Sequence, residues 1–343
     1  MKKAISLVIA LVLAFSCLTA AFAANAEGYD SFGAYEHVFI IGIDGCGAAF
    51  SMVESPNFDR IFADNAYRYD AQTENRTISA QNWGAILTGV ACETHGMTND
   101  STDIKYPART SKSDNNTIFY YVRQADPKAK LVSVNHWINI NHGIIEKDIG
   151  VKKVNRLTDP LVVDAVVEQI QSVKVPKLMF VQLDDVDHAA HTYGGFSDEY
   201  YDAARTADER LGRIYDAVEK RGLMENSLFI VVADHGESEG GHGGDSPEEH
   251  AALLAVAGHS VNKTTLGEEV HNRDVSAIAL YALGIEKPEH FISEVPEGLF
   301  GESREKTVAE NPADTAYLLW KNFLYTFVRM VNLIVGPFDF LAF

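Results

Sequence analysis

The chain has 343 residues, 46% of them hydrophobic and 22% charged, which is globular composition and excludes disordered and collagen-like classes. Its 29 Lys+Arg stand against 48 Asp+Glu, a formal charge of −19, so it lacks the basic surface with which sequence-blind binders of duplex nucleic acid displace counterions. Three cysteines are too few for a disulfide scaffold, and none has the spacing of a zinc site.

Lys2 and Lys3 precede an uncharged run that ends Ala21-Phe22-Ala23, a small-x-small cleavage site. Residues 1–23 therefore read as a secretory signal peptide, and the protein is expected to be secreted or held at the cell surface. Its removal leaves Cys46 and Cys92. An oxidising compartment would permit them to pair, and their spacing leaves that open.

Residues 24–306 read as one catalytic domain. Continuous apolar runs at His37–Ile43, Lys130–Val134, Leu178–Leu183, Leu228–Ala233 and Ala251–Ala257 have the character of strands buried on both faces. Helical patterns lie between them: one opening at Ser55-Pro56, then Pro160–Val173, Asp198–Lys220 and Asp274–Leu283. The alternation predicts an α/β fold, a mostly parallel central sheet with helices on both faces. Residues 307–343 form an apolar tail. It reads as a helix packed on the core or as a peripheral membrane contact.

The chemistry sits where the strands end. His37–Ile43 runs into Asp44-Gly45, Leu178–Leu183 into Asp184-Asp185-Val186-Asp187-His188-Ala189-Ala190-His191, and Leu228–Ala233 into Asp234-His235-Gly236. Open parallel sheets bind ligands at the carboxyl ends of their strands. A single Asp there is usually a cap or turn residue. Three such ends, together with the Gly-rich loop around His242, form a carboxylate–imidazole set suited to zinc or another divalent metal such as manganese. Asp187 and His191 share a face if their segment is helical. Ser79 opens a helix-like segment ending Thr88-Gly89. It either caps that helix or serves as a nucleophile beside a metal.

Together these motifs resemble the alkaline phosphatase superfamily, most closely its type I phosphodiesterase/nucleotide pyrophosphatase branch, over residues 36–295. The resemblance implies an alkaline phosphatase-like fold and two zinc ions about 4 Å apart. It assigns Asp187, His191 and His242 to one ion, and Asp44, Asp234 and His235 to the other, with Ser79 beside the second as nucleophile. Asn82, three residues after Ser79, is implied to donate a hydrogen bond to a phosphate oxygen, and His95-Gly96 echoes a further family feature. Asp184 and Asp185 would orient ligands, as would Asp245 for His242. Ser79 stands where nucleotide pyrophosphatases usually carry Thr, and the stretch from Asp234 to His242 is short. No Arg or Lys maps onto a monoesterase phosphate clamp, and Ser79-Ala80-Gln81 lacks the sulfatase pattern. The implied activity is hydrolysis of small phosphoesters through a covalent Ser79 intermediate. The alternatives are a phosphomonoesterase and a non-catalytic binding protein on the same fold. Two divalent ions against Asp44, Asp187 and Asp234 would make the pocket locally positive within an acidic protein, which favours small phosphoesters over long polyanions.

Overall fold

Strand β1 (His37–Ile43) sets the two layers of the core. Val38 and Ile40 face one hydrophobic cluster; Phe39, Ile41 and Ile43 face the other, and all five are fully buried. This is the period-two alternation of a strand covered on both sides. The computed structural model describes residues 31–301. The expected signal peptide and the apolar tail lie outside the described residues.

The sheet has eight strands: β1, β2 (Ala66–Gln72), β3 (Leu131–Asn135), β4 (Lys152–Asn155), β5 (Leu178–Leu183), β6 (Ser227–Val232), β7 (Ala251–Ala257) and β8 (Thr264–Thr265). Their order is β4-β3-β5-β1-β6-β7-β2-β8. Strand β7 is antiparallel to both neighbours, and the remaining pairings are parallel. The expected mixed α/β sheet is therefore present, with β3 and β6 displaced by one residue from their sequence boundaries. Strands β2, β4 and β8 carry no continuous apolar run. Arg68, Asp70, Lys152 and Lys153 are tolerated because these strands lie towards the ends of the sheet, where burial is partial.

Among the described residues, seven helices of about two turns or longer cover the sheet: α1 (Pro56–Phe62), α2 (Ser79–Thr88), α3 (Ile118–Ala125), α4 (Asp159–Gln171), α5 (Asp185–Tyr193), α6 (Asp198–Lys220) and α7 (Val275–Ala282). Helices α2, α3 and α7 pack on the first cluster, and α1, α4, α5 and α6 on the second. Helix α1 begins as expected after Ser55 with Pro56 in its first turn, but the Ser55 hydroxyl donates to Phe50 O instead of capping. The cap comes from α6. Buried Asp208 accepts from Asn57 N at 3.0 Å and Phe58 N at 2.7 Å. Cys46 and Cys92 are both buried and both free thiols, so the pairing left open by the sequence is not made.

Replacing Asp208 with Ala strands two backbone donors of α1. The expected cost is about 2–3 kcal/mol, read as a lower urea midpoint. An unchanged midpoint would assign the cap to another group.

Candidate active site

Strands β5, β1 and β6 are adjacent and parallel, so their carboxyl ends deliver Asp184, Asp44 and Asp234 side by side. The turn after β1 is pressed against α5. Gly45 has φ +63°, and a Cβ there would stand 2.9 Å from Asp187 Cα, so this position requires glycine. On α5, Asp187 and His191 lie one turn apart and meet, as the four-residue spacing requires.

The side chains form two groups. In the first, His191 Nε2 is 3.4 Å from Asp187 Oδ2, His242 Nε2 is 3.4 Å from Asp187 Oδ1, and the two Nε2 atoms are 3.1 Å apart. In the second, His235 Nε2 lies 3.3 Å from Asp234 Oδ2, 3.6 Å from Asp44 Oδ1 and 3.5 Å from Ser79 Oγ. A tetrahedral ion with bonds of 2.0–2.1 Å separates its ligand atoms by about 3.3 Å. Both groups have that spacing.

Hydrogen bonding splits the carboxylates in the way metal ligation needs. Asp44 Oδ2 accepts from Trp83 Nε1 and Gln182 Nε2, and Asp234 Oδ1 accepts from Gly45 N. The other oxygens, Asp44 Oδ1, Asp234 Oδ2 and Asp187 Oδ1, are buried with no hydrogen-bond partner. Buried orphan acceptors are costly. Burial, followed by repulsion from neighbouring carboxylates, pushes the Asp44 and Asp234 carboxyls well above the usual range. Burial holds His235 well below its ordinary value and hence neutral, the form that ligates. A divalent cation in each group would satisfy these atoms, so the donor set fits a two-metal site.

The imidazoles are aimed by backbone carbonyls. His242 Nδ1 donates to Thr77 O at 2.6 Å and His235 Nδ1 to Gly236 O at 3.2 Å, leaving each Nε2 facing its group. Thr77 also ties the Gly-rich loop to the Ser79 loop, its hydroxyl accepting from Gly243 N and donating to Gly244 O. Asp245 does not orient His242. It bonds His250 Nε2 at 2.8 Å.

Ser79 is the first residue of α2 and the cap position belongs to Ile78, so the hydroxyl is not spent on capping. Asn82 differs from its expected role. It is fully buried; its Nδ2 donates to Arg76 O and Ile78 O, and its Oδ1 accepts from Glu74 N and Asn272 Nδ2. With every polar atom committed to the chain, it shapes the loop before Ser79 and does not donate to a substrate. A second amide, Asn99, is close by. It lines the same cavity as Ser79, and its Oδ1 accepts from Ala80 N. Nineteen residues of intervening chain hide this proximity in the sequence.

Sequence reasoning also missed three supporting groups. Gln182 bridges Asp44 and Asp184 through Nε2, while its Oε1 accepts from His136 N and Trp137 N. Buried Asp159 clamps the start of α5, accepting from Asp184 N, Asp185 N, His136 Nδ1 and Arg210 Nη1. Asp185 pairs with Arg210 at 2.7 Å. Glu237 lies behind the site, 3.9 Å from His235 Nδ1, with both carboxylate oxygens buried and without a hydrogen bond. Burial, and then the Asp187 charge, push its carboxyl up to about 10. His95 supports α2 from below, with Nε2 donating to Gln81 O and Nδ1 accepting from Met97 N. His188 is exposed.

A family model for type I phosphodiesterase / nucleotide pyrophosphatase matches residues 38–318. The chain belongs to this family. Among solved structures, human ectonucleotide pyrophosphatase / phosphodiesterase 5 superposes with a TM-score of 0.62 at 13% identity, covering 76% of this chain and 100% of that one. The lipoteichoic acid synthase LtaP from Listeria monocytogenes gives 0.56 at 13% identity, covering 78% and 76%. At these identities the likeness shows the alkaline phosphatase-like fold. Among curated proteins, GPI ethanolamine phosphate transferase 1 of Yarrowia lipolytica is 28% identical over 151 residues, 38% of this chain and 16% of that protein. The Saccharomyces cerevisiae counterpart is 27% identical over 139 residues, 35% and 15%. The match thus spans about a sixth of these relatives' length. The family acts on phosphoester bonds, and its relatives here include transferases.

Asp159→Ala releases the start of α5 and with it Asp187 and His191. Competition with a chelator should show zinc affinity at one site falling by about tenfold or more. Unchanged affinity at both sites would separate Asp159 from ligand positioning.

Proposed function

We propose that this chain is an exported, metal-dependent phosphodiesterase of the nucleotide pyrophosphatase type that acts on small phosphoesters through Ser79. One observation carries the reading. The Ser79 hydroxyl, at the start of a helix, shares its group with two buried carboxylate oxygens that have no other partner. Asp44, Asp234 and His235 would hold one zinc ion, with Ser79 at its open position. Asp187, His191 and His242 would hold the other, and manganese is the alternative metal. Bound metal would supply Lewis-acid stabilisation of phosphoryl oxygens and a lowered pKa for the serine hydroxyl.

Ser79 Oγ attacks phosphorus, the bond from phosphorus to the leaving oxygen breaks, and a phosphoseryl ester forms. The start of α2 presents free N–H groups and a positive dipole end to the phosphate. Asn99 Nδ2 is available to a nonbridging oxygen, since its Oδ1 is already bonded to Ala80 N. Water then cleaves the ester and regenerates Ser79. Diesters are favoured over monoesters because, among the described residues, no Lys or Arg lines the cavity to balance a second phosphate charge.

A transferase reading shares every step up to the phosphoseryl ester and replaces water with an alcohol. The ethanolamine phosphate transferases among the relatives favour it. Export rests on residues 1–23, and peripheral membrane contact on residues 307–343.

Ser79→Ala should lower hydrolysis of bis(4-nitrophenyl) phosphate by about three orders of magnitude. Unchanged hydrolysis would remove Ser79 from the chemistry, and no turnover by the native chain would support a binding role. The native chain should turn over this diester at least about tenfold faster in kcat/KM than 4-nitrophenyl phosphate. The reverse order would mark a phosphomonoesterase. Transfer to an added primary alcohol would select the transferase reading.

A further inference from the structure

Ser79 and Asp44 stand on different elements, and one side chain joins them. Ser79 opens α2, while Asp44 follows β1. Trp83 lies four residues after Ser79 on α2, so the two share a face of the helix. Its Nε1 donates to Asp44 Oδ2 at 3.0 Å. The indole is fully buried, and its edge stands over Gly42 in β1, two residues before Asp44. A Cβ on Gly42 would lie 2.4 Å from Cη2 and 2.7 Å from Cζ3 of the ring. The strand therefore carries glycine where the helix carries its largest side chain. From β5, Phe180 meets the ring edge-on, with centroids 5.5 Å apart.

Packing alone needs no N–H, yet this one has a directed use. Asp44 Oδ2 takes two donors, Trp83 Nε1 and Gln182 Nε2 at 2.9 Å, and Oδ1 is left without one. Gln182 belongs to β5, so its bond ties Asp44 to the sheet. The Trp83 bond ties Asp44 to the helix that carries Ser79. A buried indole N–H without an acceptor is costly, and so is a buried carboxylate oxygen without a donor. Satisfying both fixes how α2 sits against the end of β1. Between the indole and Ser79 there is a single hydrogen-bonded turn of backbone, so a shift of Trp83 passes directly to Ser79 Oγ.

Resting on the proposed metal-dependent reading of Ser79, we propose that Trp83 is a positioning residue: its N–H, beyond its bulk, holds Asp44 and Ser79 in the register that a shared metal requires. Groups that aim a metal ligand from behind govern both affinity for the metal and the geometry of attack.

The test separates the N–H from the bulk. In one protein Trp83 is replaced by its isostere benzothienylalanine, which keeps the fused ring and exchanges N–H for sulfur; the second carries Trp83→Phe. Zinc affinity is read by competition with a chelator, and kinetics with bis(4-nitrophenyl) phosphate. In the isostere protein, zinc affinity at one site is expected to fall by about tenfold or more, while the other stays within about twofold. Its kcat should fall by at least about tenfold with KM within about threefold, since diester binding is kept and the approach of Ser79 is not. Trp83→Phe should show the same losses and also a lower urea midpoint, because it leaves a cavity. An isostere protein with both zinc affinities and kcat unchanged would overturn the positioning role and leave Trp83 a packing residue. Equal weakening of both zinc sites would overturn it too, because the effect would not run through Asp44. The zinc arm needs no turnover. A native chain that fails to hydrolyse the diester would therefore count against the phosphodiesterase reading, and zinc affinity would still decide the role of Trp83.

Discussion

Much of the structure answers one electrostatic constraint: three carboxylates brought together at the buried edge of a sheet. Asp44 and Asp234 are fully enclosed, and Asp187 is largely so. Left to themselves they would repel, and burial pushes the Asp44 and Asp234 carboxyls well above the usual range. The surrounding chain fixes one oxygen of Asp44 and one of Asp234 with hydrogen bonds and keeps the other free. That division makes sense for a cation and is wasteful without one. The imidazoles of His235 and His242, each pinned through Nδ1 to a carbonyl, complete the same design.

The supporting architecture follows from holding this edge still. Asp159 fixes α5 with two backbone N–H bonds and an Arg210 contact, so Asp187 and His191 inherit a rigid helix start. Thr77 and Asn82 shape the loop that carries Ser79 to the start of α2. His95 is half-buried against α2, and desolvation lowers it to about 4. Its Nδ1 acts as an acceptor, which requires the neutral ring. The folded-state value lies below 6.5, so its contribution is complete above that pH and is lost as pH falls towards 4.

Much of this was legible in the sequence because the strongest signals are local. Continuous apolar runs marked β1, β5 and β7 to the residue, and the ligands follow the strands directly. Asp187 and His191 announced themselves by helical spacing. The strands β2, β4 and β8, at or next to the ends of the sheet, were hidden because partial burial frees them from a continuous apolar run. Gln182, Asp159, Thr77 and Asn99 were hidden for a different reason. Each acts across long stretches of chain, and nothing in its neighbours marks it. Asn82 shows the converse hazard. Its place three residues after Ser79 fitted a motif, yet its side chain is consumed by the loop. The family resemblance was carried by the ordered set of strand ends, while the roles of polar residues between them depend on which backbone groups they must satisfy.

The central claim is that the two groups of side chains are two metal sites. Anomalous diffraction from crystals of the zinc-loaded protein tests it most directly. Two peaks per chain are expected, one bounded by Asp44, Asp234, His235 and Ser79, the other by Asp187, His191 and His242. A single peak, or none in these groups, would contradict it.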